Sequence, residues 1–466
     1  MNQHVQPRDA DAEAPGSEHI VVLDNIIGGQ PREAAERMLT GRFSFPVTTA
    51  QDVASALKLA KFKKPASIDV VIAALSRIGR EANWIDDEDL KVQAELSGSP
   101  IKHMRGSIAA VNAWLADIGS YVERHGTLKT IEENGERRQV LIDHDGRLCQ
   151  GGVTTAFVLA GDEIAIAPWN IAQALLAGAQ AIIKPSRIEP LSAFLFTKAL
   201  IAVGLEPPAL LYISRETEAE QALLATLIKQ TRQSVMYGED ATVDAICSPY
   251  GFRPDHRYNA YLTGRSGAIV YGDADLDLAA QMIVRGASDD RGNRCNSTKK
   301  VFVPRALKDT FEAALVRHAD SLVRGEPTDP ATDLGRNDPQ ARAVAQQWMS
   351  GGQVFYERDM FMVAVDKNAQ ILKEELPYPS IAVCYVDDGE DAVDLMNRTV
   401  ANTYLGAAIA VSVFTETKDR YLSISSRVLA CKTILNLPST AFDFWTSHQR
   451  WHLFTELTRK VDLVTA

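Results

Sequence analysis

Apolar residues recur at helical spacing through SALKLAKF (55–62), SIDVVIAALSRIGREANW (67–84) and MRGSIAAVNAWLADIGSYV (104–122). The chain from about 50 to 125 therefore predicts helices that each bury one face. The spacing then changes. In TLKTIEENGERRQVLIDHDG (127–146), two alternating segments flank Asn134-Gly135, a dipeptide suited to a tight hairpin turn, and their polar character predicts an exposed ribbon. Such a ribbon stays solvated or pairs with the sheet edge of another subunit.

From about 150 to 260, short apolar runs (TTAFVLAG, AQAIIKPS, PALLYIS, QSVMYG) alternate with helical ones (APWNIAQALLAG, SAFLFTKALIAVG, EAEQALLATLIKQ). That alternation predicts a parallel sheet with crossover helices, whose ligands gather at the carboxyl ends of the strands. It resumes from 267 with GAIVYG, KKVFVP, QVFYE, IAVCYV, AIAVSVF and TILNLP, which predicts a second α/β unit. The opening MNQHVQPRDADAEAPGSEH is polar and acidic without an apolar stretch, and residues 1–18 read as a disordered tail.

Composition narrows the class. The 466 residues, 46% of them hydrophobic, suffice for two or three packed domains. A net charge of −11 without a long Lys/Arg run argues against nucleic acid and for small-molecule partners. The longest apolar runs are interrupted by Pro, Asn and Gln, so no membrane span is expected. Cysteines at 149, 247, 295, 384 and 431 lack CxxC or metal spacing, which predicts neither disulfides nor zinc and fits a reducing, cytoplasmic setting.

One cysteine stands apart. GASDDRGNRCNSTKKVFV (286–303) sets Cys295 in a glycine-containing loop between an expected helix and a β-branched strand. A free cysteine is most often a small buried hydrophobe. Arg294, Lys299 and Lys300 nevertheless bring positive charge close in sequence, which favours the nucleophilic thiolate. His448 and His452 in TSHQRWH have i, i+4 helical spacing, but without a third ligand no metal site is expected.

Cys295 lies 34 residues after Tyr261 of YLTGRSGAIVYGDADLDLAA. This pair of segments resembles the aldehyde dehydrogenase superfamily, in which a motif like ELGGKNPxIVxxDADLD precedes GQxC at the same interval. AIIKPSRIEPLSA (181–193) is similar to the family's cofactor-binding KPSExTPLSA, KEELPYPSIAVCYVDD (373–388) to EEIFGPVLPV, and NRTVANTYLGAAIAVSVFT (397–415) to NxxxYGLxAxVFT. The resemblance implies an α/β fold of aldehyde-dehydrogenase type. A Rossmann-type cofactor domain would span 19–127 and 150–259, a catalytic domain 260–437, and a small β oligomerisation arm 128–149 and 438–466. It further implies that Cys295 attacks an aldehyde or thioester through a tetrahedral oxyanion, with hydride exchanged with a nicotinamide. Lys184 and Ser186 would face the adenine ribose, Gly238 the pyrophosphate and Glu375 the nicotinamide ribose.

Departures from the family pattern refine the expectation. Tyr261 stands where hydrolytic members carry a water-activating glutamate, and a phenol with pKa near 10 is a poor base at neutral pH. The acyl-enzyme would then wait for a thiol, as in acylating members and fatty acyl-CoA reductases, unless another carboxylate such as Glu374 substitutes. Arg187 replaces the glutamate that grips the ribose hydroxyls; a guanidinium pairs with a 2′-phosphate, so NADPH (NADP) is favoured over NAD. Asn170 of Pro168-Trp169-Asn170 resembles the oxyanion-holding asparagine, yet it precedes Lys184 by only 14 residues. An ungapped reading puts Asp162 there instead, and both stay candidates. Glu239, beside Gly238, would compete with a phosphate at a helix start.

The expected function is NADPH-dependent reduction of an acyl thioester to an aldehyde, or the reverse, with coenzyme A or an acyl carrier protein as the thiol. The alternatives are a hydrolytic NAD(P)-dependent aldehyde dehydrogenase and a non-catalytic relative. A homo-oligomer, dimer or tetramer, is the expected assembly.

Overall fold

Helix starts follow capping chemistry legible in the sequence. Thr49 opens the helix Ala50–Phe62: its hydroxyl accepts from the Asp52 N–H at 3.2 Å, and the Asp52 carboxylate accepts from the Thr49 N–H at 2.9 Å. Thr217 and Glu220 repeat the exchange for Glu218–Gln230. In Ile68–Glu81, Val71, Leu75 and Ile78 form the buried stripe. Gly79 on that helix lets it press against Ile101–Ala116, since a Cβ there would lie 2.3 Å from the Ala116 nitrogen.

The structure, a computed structural model, describes residues 20–133, 135–161, 163–247, 255–387, 389–441 and 443–464. The expected tail, Asn134 of the hairpin turn and the oxyanion candidate Asp162 lie outside the described residues. The α/β class holds. One seven-stranded sheet runs in the order Arg257–Tyr261, Gln233–Tyr237, Thr154–Val158, Gln180–Lys184, Ala209–Leu210, Asn25–Ile27, Gln30–Arg32. Its first five strands are parallel, so Val158, Lys184, Tyr237 and Tyr261 all end at one edge. A second seven-stranded sheet runs Gln353–Glu357, Phe361–Val365, Ser380–Val386, Lys300–Pro304, Gly267–Val270, Ala408–Phe414, Ala430–Leu435, parallel except for the first pair.

Gly126–Glu133 and Glu136–Asp143 form the ribbon, with Glu133 opposite Glu136 and Gly135 at φ +80°. Leu148–Gln150 and Arg459–Val461 extend it to four strands, and Gly126–Glu133 is the outer edge. Lys460 reaches Asp143 at 3.0 Å across this sheet. The strands between 21 and 46, which form a small sheet of their own and the antiparallel edge of the first sheet, were not signalled by periodicity. Among the described residues no helix is long and apolar enough to cross a membrane.

Gly79→Ala and Gly106→Ala are expected to move stability in opposite directions. The first forces backbone apart where the helices touch and should cost about 1–3 kcal/mol. The second adds a methyl in open space on a helix interior and should gain up to about 1 kcal/mol. Urea unfolding midpoints of the two variants provide the check.

Candidate active site

The chain passes from the first sheet to the second through residues 262–266, between the end of Arg257–Tyr261 and the start of Gly267–Val270. Side chains or backbone from four other segments hold these residues. The Gln449 side chain accepts from the Leu262 N–H at 2.7 Å and donates to its carbonyl at 3.1 Å. Thr263 and Asp240 exchange hydrogen bonds of 3.1 and 3.2 Å. The Glu375 carboxylate accepts from the Gly264 and Arg265 N–H groups at 2.5 and 3.2 Å, and the Ser266 hydroxyl accepts from Ala410 N–H at 3.0 Å. Burial pushes the Glu375 carboxyl up, opposed by these N–H groups and by Lys299. Gly264 lies against the Cys295 backbone so closely that a Cβ would sit 1.5 Å from the Cys295 carbonyl oxygen.

The loop bearing Cys295 begins as the helix Leu276–Ser288 ends. Asp290, Arg291 and Gly292 follow with φ of 45°, 58° and 70°, a left-handed turn strained at its two non-glycine positions. Ser99 donates to the Asp290 carboxylate, and Arg291 donates to the Arg336 carbonyl at 3.1 Å. Beyond the cysteine, Asn296 donates to the Ser439 carbonyl at 3.2 Å, while the Ser439 hydroxyl donates to the Asn296 carbonyl at 2.6 Å.

The expected basic surroundings of the thiol are corrected by these contacts. The Lys299 ammonium donates to the carbonyls of Gly292 and Tyr378 at 2.5 and 2.9 Å, and Lys300 donates to that of Leu372 at 2.5 Å. Burial lowers the two amines to about 8 and about 7. Both lysines buttress the loop, and neither lines the cleft that Cys295 faces. Arg294 does line it, ion-paired with Glu163 and 3.1 Å from the Ser107 hydroxyl.

One group that meets the sulfur is His448, whose Nε2 lies 3.9 Å from Cys295 Sγ. The helical spacing of His448 and His452 is not realised. His448 and Trp451 instead exchange backbone hydrogen bonds of 3.0 and 2.9 Å across a turn whose central residues, Gln449 and Arg450, have φ of 47° and 72°. Left-handed geometry at both positions closes a two-residue hairpin rather than a helix. The imidazole stacks on the Tyr261 ring at 5.4 Å, and Tyr261 stacks on Tyr237, its register partner in the sheet, at 4.3 Å. Burial, with Lys432 adding to it, pushes His448 down to about 3, which keeps the ring neutral. Among the described residues no cluster of metal-ligating side chains is present.

A cleft of about 1610 Å³ opens above this stack, and Cys295, Tyr261, His448, Gly238 and Glu375 all line it. Asn170 does not. It is fully buried, and its amide donates to the Ile166 carbonyl at 2.7 Å and to the Tyr237 hydroxyl at 3.0 Å, while its neighbour Trp169 faces the cleft. Lys184 ends its strand at the same carboxyl edge, and its amine is lowered to about 8 by burial and then by Arg215 and Arg187. The Ser186 hydroxyl accepts from the Ile188 N–H at 3.2 Å and packs where a side chain at Gly161 would collide with it. Arg187 is ion-paired with Glu216 and donates to the Thr40 hydroxyl at 2.8 Å. A buried lysine at a strand end suits a dinucleotide, while the space beside Gly161 is taken by Ser186 and that beside Gly238 by Thr242 and Val243. Glu239 and Asp240 at the next helix start have the wrong charge for a pyrophosphate, and Asp240 is tied to Thr263.

Gln449→Ala is expected to destabilise the fold by about 1–3 kcal/mol, because it strips the Leu262 backbone of both partners at a strained turn. A fall in the urea midpoint checks this.

The aldehyde dehydrogenase family model matches residues 43–443. Betaine aldehyde dehydrogenase 2 of Rhizobium meliloti is 30% identical over 256 residues, 51% of this chain and 52% of the relative. Betaine aldehyde dehydrogenase 1 of the same organism is 27% identical over 57% of each. The chain spans about half the length of the curated relatives it matches. Among solved structures, an NAD-dependent aldehyde dehydrogenase from Sinorhizobium meliloti superposes with a TM-score of 0.79 at 17% identity, covering 95% of this chain and 94% of that one. An NADP-dependent glyceraldehyde-3-phosphate dehydrogenase from Bacillus halodurans, complexed with NADP, gives 0.76 at 18% identity, covering 95% and 98%. With its two sheets, its thiol between them and a family match over most of its length, the chain belongs to the aldehyde dehydrogenase family.

Proposed function

We propose that the protein oxidises an aldehyde to an acid with NAD(P)+ through a thioester on Cys295. The observation that carries this reading is the thiol itself, facing a cleft of about 1610 Å³ at the carboxyl edge of the parallel sheet. Lys184, Ser186, Gly161 and Gly238 would hold the dinucleotide, which when bound supplies the hydride acceptor. Glu375 fixes the backbone of residues 264 and 265 through their N–H groups. Backbone N–H groups of the Cys295 loop would hold the oxyanion, since the Asn170 amide is engaged elsewhere.

The relatives' names support the oxidative direction. They also make betaine aldehyde a first substrate to test, because Trp169 and Phe444 line the cleft and aromatic faces suit a quaternary ammonium. A second reading, transfer of the acyl group to coenzyme A or a carrier-protein thiol, is favoured by Tyr261. Burial raises its phenol far above the usual range, so it supplies no base for water. NADP is favoured over NAD by Arg187, which would exchange Glu216 for a 2′-phosphate. The outer edge Gly126–Glu133 would pair with a second copy in a homo-oligomer.

Two assays separate these readings. Free acid formed from aldehyde and NAD(P)+ without added thiol supports hydrolysis, and product only with coenzyme A supports acyl transfer. In either case Cys295→Ala is expected to lower turnover by more than about 1,000-fold. For the cofactor, Arg187→Ala is expected to reduce the NADP/NAD ratio of kcat/KM by about 10-fold. An unchanged ratio would remove Arg187 from cofactor selection.

A further inference from the structure

We propose that His448 is the proton acceptor for Cys295, a catalytic base supplied by the turn at 448–451 in place of the carboxylate that Tyr261 has displaced. The inference rests on the reading that Cys295 attacks a carbonyl. In that step the S–H bond breaks and its proton moves to His448 Nε2, the sulfur electron pair forms the C–S bond, and the carbonyl π pair moves onto oxygen. Atoms and charge balance without any other group: a thiol, a neutral imidazole and a carbonyl become an imidazolium and a thio-hemiacetal oxyanion.

Geometry selects His448. Its Nε2 lies 3.9 Å from Sγ, within hydrogen-bond reach for sulfur. The nearby carboxylates are otherwise engaged: Glu375 by two backbone N–H groups, Glu163 by Arg294, and Glu374 by the Gln370 amide at 2.8 Å. The position is also built at a cost. Gln449 and Arg450 adopt left-handed backbone that non-glycine residues avoid, and such strain is held only where surrounding contacts impose it. The Gln449 clamp on Leu262, the stacking on Tyr261 and the edge of Trp169 at 6.2 Å fix the ring. Tyr261 thereby acquires a positioning role. A glutamate there would offer a base but no flat surface, whereas a tyrosine offers the surface on which a base from another segment rests.

The neutral imidazole is in the correct form to accept. Burial disfavours its charged state while the thiol is intact, and the negative charge that develops on sulfur and then on oxygen offsets that penalty as the proton arrives.

The test uses the full chain and iodoacetamide at pH 7, with the rate of Cys295 alkylation read by mass spectrometry. His448→Ala and His448→Phe are both expected to slow alkylation by about 10-fold or more. Added imidazole should restore His448→Ala but not His448→Phe, whose ring fills the space and preserves the stacking. Thermal unfolding confirms that the phenylalanine variant is folded. Alkylation of His448→Phe within about twofold of the unsubstituted protein, or failure of imidazole to accelerate His448→Ala, would overturn the pairing. Alkylation needs neither aldehyde nor cofactor. An unsubstituted protein that shows the expected alkylation pattern yet oxidises no aldehyde would therefore sink the dehydrogenase reading and leave the Cys295–His448 pair standing.

Discussion

The structure depends on a contact between two pieces of backbone, Gly264 against the carbonyl of Cys295, where no side chain fits. Through it, the strand that leaves the first sheet is laid directly across the loop that enters the second. The relative placement of nucleophile and cofactor edge is thus set by main chain rather than by side chains that rotate. Everything that grips residues 262–266 grips the thiol indirectly. Those grips come from distant parts of the chain: Asp240, Glu375, Ala410 and Gln449. Backbone donors and acceptors that a crossover would leave buried and unpaired are satisfied one by one.

Buried charge serves the same purpose. Lys299, Lys300 and Glu375 sit in one desolvated region, and each is satisfied by backbone groups. An ammonium that caps carbonyls at a loop's base fixes its path more tightly than apolar packing does, because its geometry is directional. The loop's own left-handed turn at 290–292 requires such anchoring. Ser99 and the Arg336 carbonyl hold Asp290 and Arg291 in that geometry.

Much of this architecture was legible in the sequence. Strands at 154–158, 180–184, 233–237, 267–270, 300–304 and 408–414 are short apolar runs bounded by turn residues, and their burial on both faces makes that signal strong. The ribbon announced itself through Asn134-Gly135. The strands at 21–46 did not, because they are only two to four residues long, too short for alternation to show. Cys295 and Tyr261 were found through their interval, a local property that survives divergence. The i, i+4 spacing of His448 and His452 is equally compatible with a helix and with a turn. The deciding fact, left-handed dihedrals at Gln449 and Arg450, is invisible in composition. Lys299 and Lys300 were misread for a related reason: nearness in sequence does not fix where a long side chain points.

The turn at 448–451 also makes the site discontinuous along the chain. Cys295 and His448 are separated by 153 positions, and domains form from the amino terminus as the chain emerges. A nascent chain that has completed both seven-stranded sheets, through residue 435, still holds its thiol without the imidazole and with Leu262 unclamped. The contact between Cys295 and His448 forms only when the segment beyond the second sheet folds back onto it, so the two halves of the site are joined by tertiary docking and not by local sequence.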